Sequence, residues 1–213
     1  MTGKGRPHLA VVAVGYVVSA AVYAWLPAVS VRPGQAIQFG RPLLAFLLPT
    51  TALLVSVLFQ SLWQRDPIRS RSASEETTYQ AITFRIVLFI LGIHAVVVSG
   101  LLSVAGVIPP IAPGLARAVP ILLGLGLIGV GNLLPRMKPN LIIGIRTSGT
   151  LADPCMWMRT NRMAGYVAVG LGIVLIGTGA LVTPFRAVAP VIGTAGLAAI
   201  TLLVVYTGTR HRV

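Results

Sequence analysis

Apolar residues in this chain come in blocks, not at the scattered spacing of a soluble core. Six blocks stand out: Leu9–Leu26, Pro42–Trp63, Phe84–Ala105, Ala116–Leu134, Ala164–Thr183 and Ala187–Tyr206. A helix of about 20 residues rises ~30 Å, the thickness of a hydrocarbon layer. None of the blocks alternates apolar and polar positions as barrel strands do, so each is predicted to cross as a helix that satisfies its own backbone. The expected fold is an all-α membrane protein of six transmembrane helices, one polytopic domain over residues 1–213. Trp25, Trp63 and Tyr206 fall at block ends, where amphipathic rings favour the interface. Pro49 lies inside the second block and is expected to kink it. Ala168/Gly172 and Ala189/Gly193 have the small-xxx-small spacing that lets helices approach closely in lipid. Lys4 and Arg6 precede the first block and Val22-Tyr23-Ala24 resembles a cleavage site, but the block is read as a retained span.

Two polar connections interrupt this pattern. The segment Gln64–Thr83 holds three arginines and three of the four acids, and a surface helix is expected from Ser74. The second connection lies between the fourth and fifth blocks. Pro135 and Pro139 should stop the fourth helix, because each lacks an N–H and restrains its predecessor. Leu141-Ile142-Ile143 is too short to cross and is expected to lie at the interface as a strand-like or re-entrant piece. Asp153 then reads as an N-cap with Pro154 at the first helical position of a short interfacial helix, which is expected either to bend or to run directly into the fifth span. Trp157, Asn161 and Gly165 share one face of it, with Arg159 and Arg162 off that face towards headgroups.

Charge changes the picture. The chain has 17 Lys and Arg against 4 acids, net +13, with only 10% charged residues and mean hydropathy +0.87. If the six blocks cross, one side holds Lys4, Arg6, Arg65, Arg69, Arg71, Arg85, Arg136, Lys138, Arg146, Arg159, Arg162, Arg210 and Arg212. The other holds Arg32, Arg41, Arg117 and Arg186. Basic loops stay inside, so both termini and the second connection are predicted to be cytoplasmic, in a plasma membrane. The cations flank apolar blocks, which favours anionic headgroups over direct nucleic-acid binding.

Few groups are available for chemistry. Cys155 is the single cysteine, which excludes an intramolecular disulfide and a multi-cysteine metal site. No Ser/His/Asp set, phosphate loop, metal-ligand spacing or paired carboxylates appears, so no enzyme, metal or cofactor is expected. His94 lies midway along the third block, where ionisable groups are functional candidates. It reads either as a proton-linked switch or, as favoured here, a neutral imidazole bonded to a neighbouring helix. Arg146 reads as a contact for a ligand, partner or lipid phosphate, or as a structural clamp on Asp153 or on helix-end carbonyls. Asn132 and Asn140 are expected to satisfy loose backbone groups, and Trp157 to anchor at the interface.

Within the second connection, Gly131-Asn132, Leu134-Pro135, Lys138-Pro139-Asn140, Gly144-Ile145-Arg146-Thr147, Thr150-Leu151, Trp157, Arg159-Thr160 and Gly165 occur in an order and spacing that resembles the signature of the SdpI family. These are bacterial membrane proteins named for immunity to a secreted peptide toxin. The resemblance covers Gly131 to Gly165 within an SdpI-like half, residues 116–213, and leaves residues 1–115 as a diverged half. That half keeps the family's Leu-Pro as Leu26-Pro27 but has no histidine in Val29–Pro42. Asn161 stands where the family has histidine, so a hydrogen-bonding role is implied there and a titratable one is not. The resemblance implies an inner-membrane protein that resists a peptide toxin, signals through a cytoplasmic autorepressor, or both. It implies a ligand- or partner-binding loop carrying Asn132, Pro135, Lys138, Pro139, Asn140, Gly144, Arg146, Thr147, Trp157, Arg159, Thr160, Asn161 and Gly165. A small transporter or channel, and an accessory subunit of a larger membrane complex, are the alternatives.

Overall fold

The computed structural model describes residues 7–25, 40–67, 73–104, 106–109 and 112–181. Among these every regular element is a helix and no strand occurs. The elements are α1 (Pro7–Trp25), α2 (Gly40–Arg65), α3 (Ala73–Val104), α4 (Ala112–Gly131), a 3-10 turn at Leu134–Arg136, α5 (Ser148–Ala152) and α6 (Pro154–Leu181). Five helices are long and apolar enough to cross a membrane. They correspond to the first five blocks; the expected sixth span, Ala187–Tyr206, lies outside the described residues.

The helices are longer at one end than the blocks predict. At 1.5 Å per residue, the 32 residues of α3 rise about 48 Å and the 28 of α6 about 42 Å. A hydrocarbon layer needs only about 20 residues. The surface helix expected from Ser74 is in fact the start of α3, continuous with the third span. The interfacial helix expected from Pro154 is the start of α6, and of the two continuations expected for it, a bend or a direct run into the fifth span, it takes the direct run. The short helix that does exist, α5, lies just before it. Each merger has one cause: no glycine, proline or cap stands between the polar first turns and the apolar stretch that follows. The fourth span, expected at Ala116–Leu134, is matched by the candidate span Arg117–Arg136, although the α-helix itself ends at Gly131 and Pro135 sits in the 3-10 turn.

Two packing modes hold the helices. In the first half, α1, α2 and α3 contact one another through side chains around Val12, Ala52 and Val87, with Tyr16, Leu53, Ile90 and Leu91 against them. In the second half, α4 and α6 form the most extensive helix pair, and α3 bridges the two halves through α4. The α4–α6 contact is made by glycines. A methyl group at Gly165 would stand 2.6 Å from the Gly131 carbonyl oxygen, one at Gly172 2.6 Å from the Gly124 carbonyl oxygen, and one at Gly179 3.0 Å from that of Arg117. Gly124 and Gly131 lie two turns apart, as do Gly165, Gly172 and Gly179, so the antiparallel helices meet backbone to backbone at regular intervals.

Candidate functional site

The chain between α4 and the first turns of α6 is folded into a tight knot beyond the end of the α4–α6 contact. Its construction begins where α4 unwinds. The Leu133 amide bonds to Val130, three residues back, at 2.9 Å, and not to Gly129. The freed Gly129 carbonyl instead accepts from Arg85 Nη1 of α3 at 2.7 Å. A guanidinium from another helix thus caps the negative end of α4.

Asn140 organises the next turn. Its Oδ1 accepts from the amides of Ile142 (2.9 Å) and Ile143 (2.7 Å), and its Nδ2 donates to the Lys138 carbonyl at 2.9 Å. Such an Asx arrangement replaces a backbone turn and leaves no buried amide unpaired. Ile143 then points inward, against Tyr79, Ile82, Leu133 and Met137. The Leu141–Ile143 run is therefore the lid of a small core, not a strand or a re-entrant piece.

Gly144 has a backbone φ of +114°, accessible to glycine and strained for any side chain. Space excludes one too: an added methyl would lie 2.5 Å from Asn161 Oδ1 and 3.0 Å from the Trp157 ring. Asn161 Oδ1 accepts from the Ile145 amide at 2.9 Å while Nδ2 donates to the Trp157 carbonyl at 3.1 Å. Trp157 is fully buried, and its Nε1 donates to the Met137 carbonyl at 2.7 Å. It is therefore a structural pin, not the interfacial anchor expected. Thr147 and Thr150 form a reciprocal cap at the start of α5, at 2.8 and 3.1 Å, and the Thr150 hydroxyl donates to the Ile145 carbonyl at 2.9 Å. Asp153 caps α6 as predicted, accepting from the Cys155 amide at 2.8 Å.

The predicted site residues thus fall into two groups. Asn140, Gly144, Thr147, Trp157, Thr160, Asn161 and Gly165 are inside or bonded within the knot, and Trp157, Asn161 and Gly165 do share the buried face of α6. Pro135 and Pro139 are half-buried at its edge, with Pro135 3.0 Å from the methyl that Gly165 lacks. Asn132, Lys138, Arg146 and Arg159 are exposed. Arg146 Nη1 donates to the Leu141 carbonyl, so it clamps the loop and neither pairs with Asp153 nor caps a helix end. Asn132 does not satisfy backbone groups as expected: its side chain caps nothing among the described residues.

Sequence reasoning missed the partners from the first half. Asp66, just past α2, accepts from the Leu141 amide at 2.7 Å. Glu75, in the first turn of α3, is buried and pairs with Lys138 Nζ at 2.7 Å. Tyr79 stacks on Trp63 with centroids 4.2 Å apart and donates to the Phe59 carbonyl at 2.6 Å. The α2–α3 connection thereby grips the knot. A signal was present: these are two of only four acids in a chain of net charge +13.

His94 belongs to a different region. It is buried, with Nε2 2.9 Å from Ser19 Oγ on α1. Ser19 Oγ also donates to the Gly15 carbonyl at 2.9 Å, which leaves it to accept from His94 Nε2. This is the helix-to-helix bond expected. Among the described residues, no three His, Cys, Asp or Glu side chains gather to hold a metal ion.

Five apolar helices joined by polar caps define a multi-pass membrane protein. Residues 136–207, about a third of the chain, match the family model described as the SdpI/YfhL protein family. No curated protein and no solved structure matches the chain. The matched segment begins in the 3-10 turn and takes in the rest of the knot beyond it together with α6.

Proposed function

We propose that this chain is a bacterial inner-membrane protein of the SdpI type, with both termini cytoplasmic, that protects against a secreted peptide toxin, signals to a cytoplasmic partner, or does both. The observation that carries the reading is the family match over residues 136–207, which includes the knot from Arg136 onward. The excess of Lys and Arg flanking that end of the helices supports a cytoplasmic placement. Two features support a coupling role. The knot is gripped by Asp66 and Glu75, so a rearrangement among α1, α2 and α3 is transmitted to it through a hydrogen bond and an ion pair. Its outer surface carries Arg136, Arg146 and Arg159, suited to an acidic patch on a soluble autorepressor or to anionic headgroups. The role is recognition and not catalysis. Deleting the gene should sensitise the cell to peptides secreted by neighbouring strains, and the tagged protein should co-purify a small DNA-binding protein; unchanged sensitivity together with no co-purified partner would overturn the reading. Labelling of Cys155 from outside intact spheroplasts by an impermeant thiol reagent would overturn the orientation.

A further inference from the structure

The outward face of α6 carries a cationic head and an apolar lane in line. The last 20 residues of α6, from Arg162, are enough to span about 30 Å of hydrocarbon. That places Arg162 at the interface, with Arg159 one turn beyond it. At 3.6 residues per turn, Arg159, Arg162, Tyr166, Gly170 and Ile173 lie within an arc of about 80°. The structure exposes all five, Tyr166 by 64% and Ile173 by 61%. A methyl added at Gly170 would meet nothing within 4 Å, so the lane has a gap in its floor there.

The two guanidiniums have no carboxylate to answer them. The four acidic side chains of the chain are otherwise engaged: Asp66 with the Leu141 amide, Glu75 with Lys138, Glu76 with Gln80 at 3.3 Å, and Asp153 with the Cys155 amide. Among the described residues, neither Arg159 nor Arg162 makes an ion pair. Arginine presents a fork of donors that matches phosphate. From Arg162 to Ile173 the helix rises about 16 Å, close to the ~15 Å of one leaflet's hydrocarbon.

We infer that α6 binds one anionic phospholipid. Its phosphate sits between Arg159 and Arg162, the Tyr166 ring lies at the level of the ester groups, and one acyl chain runs over Gly170 to Ile173. This deepens the lipid contact proposed above and rests on α6 spanning the membrane, not on toxin resistance. Resistance lost with lipid binding intact, or the converse, would separate the two.

The test is native mass spectrometry of the full chain in detergent, titrated with phosphatidylglycerol and, separately, phosphatidylcholine. Retention of one phosphatidylglycerol in preference to phosphatidylcholine is expected. With each basic residue contributing about fivefold, R159Q/R162Q should weaken retention about 30-fold. Gly170→Leu, whose Cβ would meet nothing within 4 Å, should weaken it severalfold with Tm unchanged. Equal retention of the two lipids, unchanged binding in either variant, or displacement by inorganic phosphate overturns the inference. So does a Gly170→Cys thiol shielded from a bilayer-soluble maleimide in lipid-free detergent, because residues 182–213 would then cover the lane.

Discussion

The α1–α2–α3 bundle and the α4–α6 pair solve the same problem in different ways. Both must hold apolar helices together where lipid removes the hydrophobic drive for association. The bundle does so with side chains: aliphatic contacts around Val12, Ala52 and Val87, a Tyr16–Thr50 hydrogen bond at 2.9 Å, and the Ser19–His94 bond. The pair does so with missing side chains, bringing the backbones at Gly124 and Gly172, and at Gly131 and Gly165, into contact. The knot combines the two, since Asn140, Trp157 and Asn161 bond its carbonyls and amides around a glycine that admits no side chain. A side-chain interface can be repacked by neighbouring side chains, whereas a backbone interface has nothing to move. The two regions should therefore respond very differently to single substitutions.

The largest effects are expected where a side chain would strike backbone. Gly172→Leu forces a branched group towards the Gly124 carbonyl, and Gly144→Ala combines a clash on Asn161 and Trp157 with a φ of +114°. Each should lower stability by about 3 kcal/mol or more. The measurement is retention of a monodisperse peak on heating in detergent. Gly170→Leu on the open face of the same helix is the control, expected within about 0.5 kcal/mol. A Gly172→Leu chain as stable as the control would show that α4 and α6 do not meet through their backbones.

Next comes the polar interior of the knot. Asn161→Leu leaves the part-buried Ile145 amide without its acceptor and should cost about 2 kcal/mol. Asn161→His should be milder, about 1 kcal/mol or less, because an imidazole nitrogen can accept from the same amide. The contrast in Tm between the two variants sharpens the hydrogen-bonding role; equal losses would point to packing alone.

The grip between the halves should be weaker again. Lys138→Met strands the buried Glu75 carboxylate, but Lys138 itself is 61% exposed, so the expected loss is about 1 kcal/mol. Adding Glu75→Gln should restore most of it, and a double-mutant cycle in detergent measures the coupling. Additive losses would mean that the ion pair does not fasten the knot to α3.

How much of this was written plainly in the sequence depends on range. The first five spans were legible because twenty-residue apolar blocks have one solution in lipid. Asp153 and Pro154 announced the start of α6, and the spacing of Trp157, Asn161 and Gly165 announced their shared face, because both signals are local. What those residues touch was not legible. The burial of Trp157 depends on Met137 twenty positions earlier, and the roles of Asp66 and Glu75 depend on a connection brought alongside from the other half. The glycine register of α4 and α6 was half visible: Ala168 and Gly172 suggested close approach, but the two-turn repeat that includes Gly124, Gly131, Gly165 and Gly179 requires knowing which helices are partners. The length of α3 misled for a simpler reason, since hydropathy marks where lipid begins and not where a helix does.

The smallest effects should lie in the first bundle. Tyr16→Phe removes one side of the Tyr16–Thr50 bond while keeping the ring, which also packs against Phe46 with centroids 6.4 Å apart. Hydrogen bonds between membrane helices average about 0.6 kcal/mol, because separated helices find other partners. Tyr16→Phe should therefore lower stability by about half a kcal/mol. Ser19→Ala should reach about 1 kcal/mol, since it also leaves the His94 Nε2–H without its acceptor. Both variants should keep the mobility of the parent on size-exclusion chromatography. If Ser19→Ala instead unfolded the chain as fully as Gly172→Leu, the buried imidazole would be as indispensable as the glycine contacts, and side-chain packing in the first half would be no more adaptable than backbone packing in the second.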